Sequence, residues 1–372
     1  MNTPLNITIH QQALPLWLAG DKHNAKRRGT LERMPKWLIC IPLVSQWVWL
    51  TLRYRSATLP AAANPAITSG GLVGEGKLEY FEGMGLIARA VTARHCAIAT
   101  GRIPADDELL QAMADAEFSF PAIVKPNLGL CGYGVRRVNT LAELHAYLAA
   151  FPRNETVVLQ QYLPHEAEAG IFYARDPQTD QARIIGLALR YFPRVTGDGQ
   201  RTLAELIAAD LRARRGMHTT QHECVLDPIW IPQDGQVVRL STIGSTRVGG
   251  LYRDGDALIT PQLTAAIDAI ARDMPQFYCG RFDVRFDKPH DLCAGRGFTI
   301  MEINGAGSEA IQAWDPDIGL IAGFRMIFAK QRLLFAIGDA RRREGVTPMS
   351  LIALARLHFR QQRLIASYPP SN

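Results

Sequence analysis

Two stretches of this sequence alternate charged and apolar residues with a period of two. The first is Gly280-Arg-Phe-Asp-Val-Arg-Phe-Asp287 and the second is Phe298-Thr-Ile-Met-Glu-Ile-Asn304. Successive side chains of a β-strand point to opposite faces, so each stretch predicts a strand with one polar and one apolar face. A sheet built from such strands must bury its apolar face under covering helices, which predicts a layered α+β fold.

The polar faces of these two strands carry the strongest chemical signal. Asp283 lies on the first strand, and Glu302 and Asn304 share one face of the second. Together they present the hard oxygen ligands that suit Mg²⁺ held jointly with phosphate groups. The alternative is a salt-bridged sheet at the surface, but an unpaired carboxylate among the apolar neighbours of Glu302 would be costly. The two strands therefore predict a metal site.

A lysine on a short strand, followed by a glycine-rich loop, forms a second constellation. Lys125 ends the apolar run that begins at Ala122, and Pro126 follows it. Glycines allow backbone N–H groups to approach phosphate oxygens closely, and an ammonium group neutralises those oxygens. The segment is not a P-loop, because no Gly-Lys-Ser/Thr run follows the glycines, and a plain glycine hairpin remains an alternative. The loop contains Gly129, Gly132 and Gly134.

A third constellation is an apolar strand, Thr156 to Tyr162, that leads into a polar linker. A linker of this kind can bind the edge of an adenine ring through its backbone groups. Further along, the carboxylate of Glu168 is a candidate acceptor for ribose hydroxyl groups. An ordinary hairpin with exposed acids is the alternative interpretation.

In order and spacing, these residues resemble the ATP-grasp enzymes, and their two metal strands are most similar to those of the D-alanine–D-alanine ligases. The resemblance covers about Lys77 to Gly307 and includes the motifs G-R-x-D and E-x-N. It implies an ATP-grasp fold, in which two α+β subdomains clasp ATP. It also implies a reaction that joins a carboxylate to an amine through an acyl phosphate.

The resemblance also implies a role for each candidate residue. Arg281 would stabilise the acyl phosphate, and Arg190 would replace a lysine that lies near the γ-phosphate. The cofactors would be ATP and two Mg²⁺ ions, with Mn²⁺ as a substitute. Metal binding is implied for Asp283, Glu302 and Asn304, and ATP binding for Lys77, Lys125, Gly129, Gly132, Gly134, Gln161, Tyr162, Leu163 and Glu168.

One further segment resembles a loop of another ATP-grasp group, and a different segment departs from the pattern of the D-alanine ligases. Val195 to Ile207 resembles a loop of the ATP-grasp part of cyanophycin synthetases, with Thr202 available as a helix N-cap. After the metal asparagine the D-alanine ligases carry Thr-x-Pro-Gly, whereas this chain has Gly305-Ala-Gly-Ser-Glu309. A pocket for D-alanine is therefore not expected.

The N-terminal part of the chain lacks the α/β lobe that the resemblance would predict. Trp37 to Leu52 carries no charged residue and is interrupted by Pro42, with basic residues on both sides. It is either a buried helix or strand, an element at a membrane surface, or a short spanning helix. Ser56 to Gly76 is rich in Ala, Pro and Gly and predicts a long loop, either a linker or a lid over the substrates.

Composition adds limits on partners and compartment. The net charge of +6 suits nucleotides and small anionic substrates, and no motif that reads DNA or RNA accompanies it. The six cysteines are scattered and form no CxxC pair, which favours reduced thiols in a cytoplasmic protein without a cleavable signal peptide. The expected partners are a small carboxylate and a small amine, with no nucleic acid. Peripheral membrane contact through residues 37–52 and a homodimer are left open.

The predicted organisation has three parts: residues 1–76 as an atypical N-terminal segment, 77–325 as the ATP-grasp domain, and 326–372 as a C-terminal helical segment. Helices are predicted over Leu78–Ala99 and Leu203–Arg214 and a strand over Arg247–Leu251, besides the strands already named. The predicted function is an ATP- and Mg²⁺-dependent ligase. One alternative is a kinase of the same type acting on a hydroxyl group, and another is a membrane-associated ATP-binding protein without catalysis.

Overall fold

The structure is a computed structural model that describes residues 28–218 and 227–371. Two antiparallel sheets, with helices packed on them, form its centre. This architecture confirms the predicted α+β class. Residues 1–27, most of the predicted polar N-terminal stretch, lie outside the described residues, as does Cys224.

The helices and strands are numbered here in chain order. The helices are α1 (Thr30–Arg33), α2 (Lys36–Tyr54), α3 (Lys77–Glu82), α4 (Leu86–Ala90), α5 (Asp106–Asp115), α6 (Leu141–Ala150), α7 (Leu203–Ala209), α8 (Pro261–Arg272), α9 (Pro289–Cys293), α10 (Leu320–Arg343) and α11 (Leu351–Ile365). The strands are β1 (His95–Ala99), β2 (Ala122–Pro126), β3 (Arg136–Val138), β4 (Thr156–Gln161), β5 (Ala167–Arg175), β6 (Ala182–Tyr191), β7 (Arg194–Thr196), β8 (Val237–Arg239), β9 (Leu251–Asp254), β10 (Cys279–Phe286) and β11 (Phe298–Asn304).

A five-stranded sheet in the order β11-β10-β5-β6-β9 carries the two strands predicted first. Its apolar face packs against α8 and α3, so Phe282, Val284 and Phe286 are fully buried beside Leu263 and Ile267. Side chains of alternate residues therefore stand on the opposite face, where the charged residues of β10 lie.

A four-stranded sheet in the order β1-β4-β2-β3 is the second layer. Apolar residues of β2 and β4 pack against α5 and α6, which gives this sheet its own core around Leu109, Leu144 and Tyr147. The chain passes from this sheet to the other through the segment between β4 and β5. A two-stranded sheet, β7-β8, packs with α7 at one side.

The segment from Ser56 to Gly76 is irregular, as predicted, but the linker interpretation is wrong. Asn64 is fully buried and donates to the carbonyl groups of Gly70 and Cys279, while its Oδ1 accepts the Cys279 N–H. Two short 3₁₀ turns, Leu59–Ala62 and Thr68–Gly71, are also largely buried. The segment is therefore packed against the strand that leads into the proposed site.

The apolar stretch Trp37–Leu52 forms most of α2 and lies beside α10. Ile39 and Leu50 are buried, and Gln46 donates to the carbonyl oxygen of Phe328. The other side of α2 is exposed, so the fully buried interpretation is wrong. Among the described residues no helix is both long enough and apolar enough to cross a bilayer.

Three of the predicted elements differ from the structure. The single helix over Leu78–Ala99 is wrong, because Gly83 and Gly85 end α3 and begin α4, and the segment finishes as β1. The helix from Leu203 ends at Ala209 instead of Arg214. The strand predicted over Arg247–Leu251 begins only at Leu251, because a 3₁₀ turn precedes it. The other strands agree within a few residues.

Candidate active site

The register between β10 and β11 brings four of the predicted site residues together. Arg281 pairs with Asn304 and Asp283 pairs with Glu302, so all four side chains stand on the polar face of the five-stranded sheet. Gly170 lies opposite Asp283 on β5. A Cβ at Gly170 would lie 3.0 Å from the Arg281 side chain and 3.2 Å from Asp283 Oδ1, so the glycine leaves room for both.

Asp283 is the centre of this cluster and is completely buried. Its Oδ1 accepts hydrogen bonds from Arg281 Nε at 2.6 Å and from an Arg190 guanidinium nitrogen at 3.0 Å. Its Oδ2 accepts from Arg281 at 2.9 Å and from Asn304 Nδ2 at 3.1 Å. Both oxygens are thus satisfied by cations and an amide, as burial of a carboxylate requires.

Arg190 on β6 links Asp283 to the neighbouring carboxylate of Glu168. Its second guanidinium nitrogen donates to Glu168 Oε1 at 2.7 Å. Glu168 is only 3% exposed and also pairs with Arg285 Nε at 3.2 Å. The alternative of a hairpin with exposed acids is therefore wrong for Glu168. The structure shows this carboxylate held by two arginines, and its contact with ribose stays a prediction.

Lys77 and Lys125 contact β11, the edge strand of the five-stranded sheet. Lys77 is the first residue of α3, and its ammonium lies 3.4 Å from Glu302 Oε1. Lys125 on β2 donates to the carbonyl oxygen of Met301 and to Gln160 Oε1, both at 2.8 Å. Two cations from the four-stranded sheet and α3 therefore meet β11 at neighbouring residues. The two predicted lysines therefore lie next to the strands that were predicted to bind a metal.

The charges around Glu302 decide its ionisation. Burial opposes ionisation, but Lys77 and Lys125, followed by Arg281 and Arg190, outweigh it and lower the pKa of the Glu302 carboxyl to about 2. Glu302 therefore carries a full negative charge at any physiological pH. Its side chain is also 32% exposed, so it is the most accessible carboxylate of the cluster.

The buried ammonium of Lys125 should make stability depend on pH. Burial, partly opposed by Glu302, lowers the pKa of Lys125 from 10.5 to about 8. Between these values the unfolded chain holds a proton that the folded chain releases, so the unfolding free energy should rise with pH across this window. Relative to Lys125→Met, which has no such group, we expect a rise of about 2–3 kcal/mol. Denaturant unfolding of both proteins from pH 7 to 10.5 measures it, and an equal slope in the variant would contradict the assignment.

The glycine loop lies directly beside Lys77. A Cβ at Gly129 would lie 2.7 Å from Lys77 Nζ. Gly132 and Gly134 have φ values of +74° and +70°, which favour glycine. At Gly134 an added Cβ would also lie 2.8 Å from the Pro126 ring. Backbone conformation therefore favours glycine at Gly132 and Gly134, whereas at Gly129 the neighbouring Lys77 side chain could move, and phosphate contact stays a prediction.

Side chains from distant parts of the chain hold the carbonyl groups of this loop. Tyr368 donates to Leu128 O at 2.6 Å and Gln361 donates to Gly129 O at 3.2 Å. Ser371 and Arg247 also contribute, to the carbonyl oxygens of Gly132 and Cys131 at 2.8 and 3.1 Å. Sequence analysis missed these residues, because nothing local relates them to the loop.

Removing one of these contacts should weaken nucleotide binding. Tyr368→Phe keeps the stacking of the ring on Phe151, at 5.1 Å between centroids, and removes only the O–H donor. A hydrogen bond of this kind contributes about 0.5–1.5 kcal/mol to ordering the loop, so we expect roughly 2- to 10-fold weaker binding of Mg-ATP by calorimetry. Ser367→Ala is the control, since that hydroxyl donates to Leu364 O in the last turn of α11 and not to the glycine loop. Equal weakening by both variants would contradict a specific role.

The predicted adenine linker joins the two sheets. The backbone N–H of Gln161 already donates to Arg94 O at 2.8 Å. The guanidinium of Arg137 lies 4.4 Å from the centre of the Tyr162 ring, and Leu163 is 9% exposed. Gln161, Tyr162 and Leu163 thus lie on the segment that connects the sheets, where a ligand between them would contact it. Their contact with adenine stays a prediction.

The oxygen donors fit Mg²⁺ by type, since Asp283 and Glu302 offer carboxylates and Asn304 an amide oxygen. The guanidinium groups of Arg190 and Arg281 occupy positions around Asp283 that a bound cation would have to share. The described part of the chain contains no group of three His, Cys, Asp or Glu side chains able to hold a metal. A metal here would therefore depend on Asn304 and on oxygens of the substrate.

Two partly buried ionisable groups near the site were not predicted. Burial, followed by repulsion from Arg281, lowers the pKa of Lys330 on α10 to about 7, and its ammonium donates to Ser308 Oγ at 3.2 Å. Burial raises the pKa of Glu75 to about 7, and its Oε2 has no hydrogen-bond partner. The sequence signal for Glu75 was a charged residue between two glycines, whereas nothing in the sequence around Lys330 distinguishes it from other lysines.

The run that replaces Thr-x-Pro-Gly packs against the N-terminal segment. Gly307 N donates to Gly71 O at 2.6 Å, and Ala306 N donates to Gly70 O at 3.2 Å. A Cβ at Gly305 would lie 2.6 Å from the Gly71 Cα, so both positions require glycine. The region after β11 is therefore closed by residues 70–71.

Comparison with known proteins finds a likeness in structure only. No protein-family model matches this chain, and no curated protein matches its sequence. A bifunctional glutathione synthetase from Pasteurella multocida is 15% identical, over 68% of this chain and 36% of its own, with a TM-score of 0.34. This chain thus spans about a third of the length of that structure.

Two further solved structures are similar at the same level. The D-alanine–D-alanine ligase from Bacillus anthracis is 15% identical, over 75% of this chain and 72% of its own, with a TM-score of 0.41. A D-cycloserine synthetase is 14% identical, over 69% of this chain and 70% of its own, with a TM-score of 0.36. At these values the likeness carries no information on the activity of this chain.

Proposed function

We propose that this chain is an ATP-dependent ligase of the ATP-grasp type that joins a carboxylate to an amine through an acyl phosphate. One observation carries the proposal: Lys77 and Lys125 approach β11 beside Glu302, which pairs across the strands with the buried Asp283. Cations on one side and hard oxygen donors on the other are what a magnesium–triphosphate ligand needs.

The residues of the site divide the work between binding and stabilising charge. The two lysines would neutralise phosphate oxygens, and backbone N–H groups of the glycine loop would orient them. Asp283, Glu302 and Asn304 would hold Mg²⁺, which would supply charge neutralisation to the phosphates. The substrate carboxylate would attack the γ-phosphorus, so that the acyl phosphate forms and ADP leaves. This step needs no side-chain nucleophile.

The second step would need cations near the acyl group, and Arg281 and Lys330 are the candidates. The guanidinium of Arg281 and the ammonium of Lys330 lie 5.7 and 5.8 Å from the centre of the same Phe172 ring. The guanidinium of Arg281 would stabilise the acyl phosphate and then the oxyanion that forms when the amine attacks, and Lys330 would contribute in its protonated form. The C–N bond forms as phosphate leaves, and the amine gives up a proton.

The proposal is tested by ATP turnover with Mg²⁺ against a panel of amino acids and short acyl acids, with every product followed by mass spectrometry. ADP together with an amide supports the ligase and identifies its substrates. ADP together with a stable phosphorylated alcohol would mean a kinase instead. Nucleotide binding without any turnover, for the wild type as for Glu302→Gln, would mean an ATP-binding protein without catalysis.

A further inference from the structure

The outward side of α2 carries an unpartnered apolar stripe. Six large side chains at helical spacing are more than half exposed: Trp37, Ile41, Val44, Val48, Trp49 and Leu52. From Trp37 to Leu52 the stripe is about 22 Å long at the α-helical rise per residue. A continuous exposed apolar surface of this size usually marks an interaction site.

The packing of the opposite side of α2 fixes this stripe toward the outside. Leu50 is buried against Phe335 of α10, and the Trp47 ring contacts Phe335 edge-on at 5.0 Å. Trp47 Nε1 also donates to Ala57 O at 3.0 Å. Because α2 is anchored along its length, it cannot turn its apolar stripe inward without breaking these contacts.

The charges at the two ends of α2 are all positive. Lys36 begins the helix and Arg53 lies in its last turn, followed by Arg55. No Asp or Glu occurs between Arg33 and Gly74. The Arg53 guanidinium lies 5.7 Å from the centre of the Trp49 ring, so a cation and an aromatic ring stand together at one end.

We propose that this face of α2 docks on an anionic lipid bilayer, with the helix lying flat in the interface. Tryptophan favours the boundary between acyl chains and headgroups, and flanking basic residues gain energy from anionic lipids. A second copy of this chain fits the surface poorly. Pairing α2 with α2 in either direction would place Lys36 or the two arginines against like charges, with no acid on the helix to compensate them.

The beginning of α10 extends the same surface. Ile321 is 69% exposed and Leu320 is 37% exposed, and both precede Phe324, which packs with Ile39 of α2. Two adjacent helices therefore present apolar side chains beside each other, which widens the area available to a bilayer.

The test is co-sedimentation of the full chain with vesicles of phosphatidylcholine alone and of phosphatidylcholine with phosphatidylglycerol. We expect binding to the anionic vesicles and weaker binding to the neutral ones. The triple variant Trp37→Gln/Val44→Gln/Trp49→Gln should lose binding at least tenfold, and Arg53→Gln/Arg55→Gln roughly tenfold. The matched control is Leu351→Gln/Ile352→Gln/Phe359→Gln, which removes comparable exposed apolar side chains from α11 and should change nothing.

Three results would contradict docking on a bilayer. Failure of the wild-type chain to sediment with anionic vesicles would overturn the proposal, as would equal losses in the α2 and α11 variants. A dimer seen by light scattering that dissociates in the α2 triple variant, without vesicle binding, would assign the surface to a second copy. Retained circular dichroism and Mg-ATP affinity show that each variant is folded.

Discussion

Replacing Glu302 with Gln should lower ATP turnover about a thousandfold while the fold remains intact. The amide keeps the shape of the side chain but removes the charge that lies 3.4 Å from Lys77. A metal ligand of this kind contributes several kcal/mol to transition-state stabilisation, and each 1.36 kcal/mol is a tenfold change in rate. The measurement is steady-state ADP release, with circular dichroism as the check on folding.

A matched substitution separates this effect from a general loss of charge. Glu117 forms an exposed ion pair with Arg94 at 2.9 Å, on the four-stranded sheet side of the molecule. Glu117→Gln removes the same charge from an ion pair of similar length but should leave turnover unchanged, because surface pairs contribute little. Turnover in Glu302→Gln within tenfold of the wild type would argue against its role as a metal ligand.

Replacing Arg190 with Met should lower the unfolding free energy by about 3 kcal/mol. Arg190 is the only described residue that bridges Glu168 and Asp283, both of which are almost fully buried. Its removal leaves Arg285 as the remaining cationic partner of Glu168, so this buried carboxylate loses one of its two positively charged neighbours. Urea unfolding at neutral pH measures the loss. Arg183→Met, at an exposed arginine of the same strand, should cost under 0.5 kcal/mol.

The cause of this loss can be identified by a second substitution. In the double variant Arg190→Met/Glu168→Gln the carboxylate that lacks its partner is neutral, so much of the lost stability should return. The double-mutant cycle of Arg190→Met and Glu168→Gln should therefore give a coupling energy of about 1–3 kcal/mol. Simple addition of the two single effects would show that Arg190 acts mainly through packing, including its position 5.8 Å from the Tyr252 ring.

Local patterns were sufficient to predict the strands that build the site. The period of two in residues 280–286 and 298–304 placed Asp283 and Glu302 on one face, and the register of β10 and β11 agrees. The chemistry of each residue type then indicated phosphates and a metal. What the pattern could not predict is that Arg190 holds Asp283, because this guanidinium comes from β6 and its contact with β10 is set by tertiary packing.

Contacts between distant segments account for the other features that were missed. Tyr368 donates a hydrogen bond to the glycine loop although the two are far apart in the sequence, and Lys330 on α10 donates to Ser308. The Ala/Pro/Gly-rich run before α3 has the composition of a linker, yet Asn64 anchors it to Cys279. The composition of a segment indicates its local flexibility. It does not indicate whether one of its side chains is buried and makes hydrogen bonds to backbone groups elsewhere in the fold.

The most direct measurement is calorimetric titration of the wild-type chain and of Glu302→Gln with ATP, each with and without Mg²⁺. If Lys77, Lys125 and the acids of β10 and β11 form one nucleotide site, the wild type should bind ATP at least tenfold more tightly with Mg²⁺. The variant should lose this dependence on the metal. No binding by the wild type, or an unchanged dependence on Mg²⁺ in Glu302→Gln, would contradict the central claim.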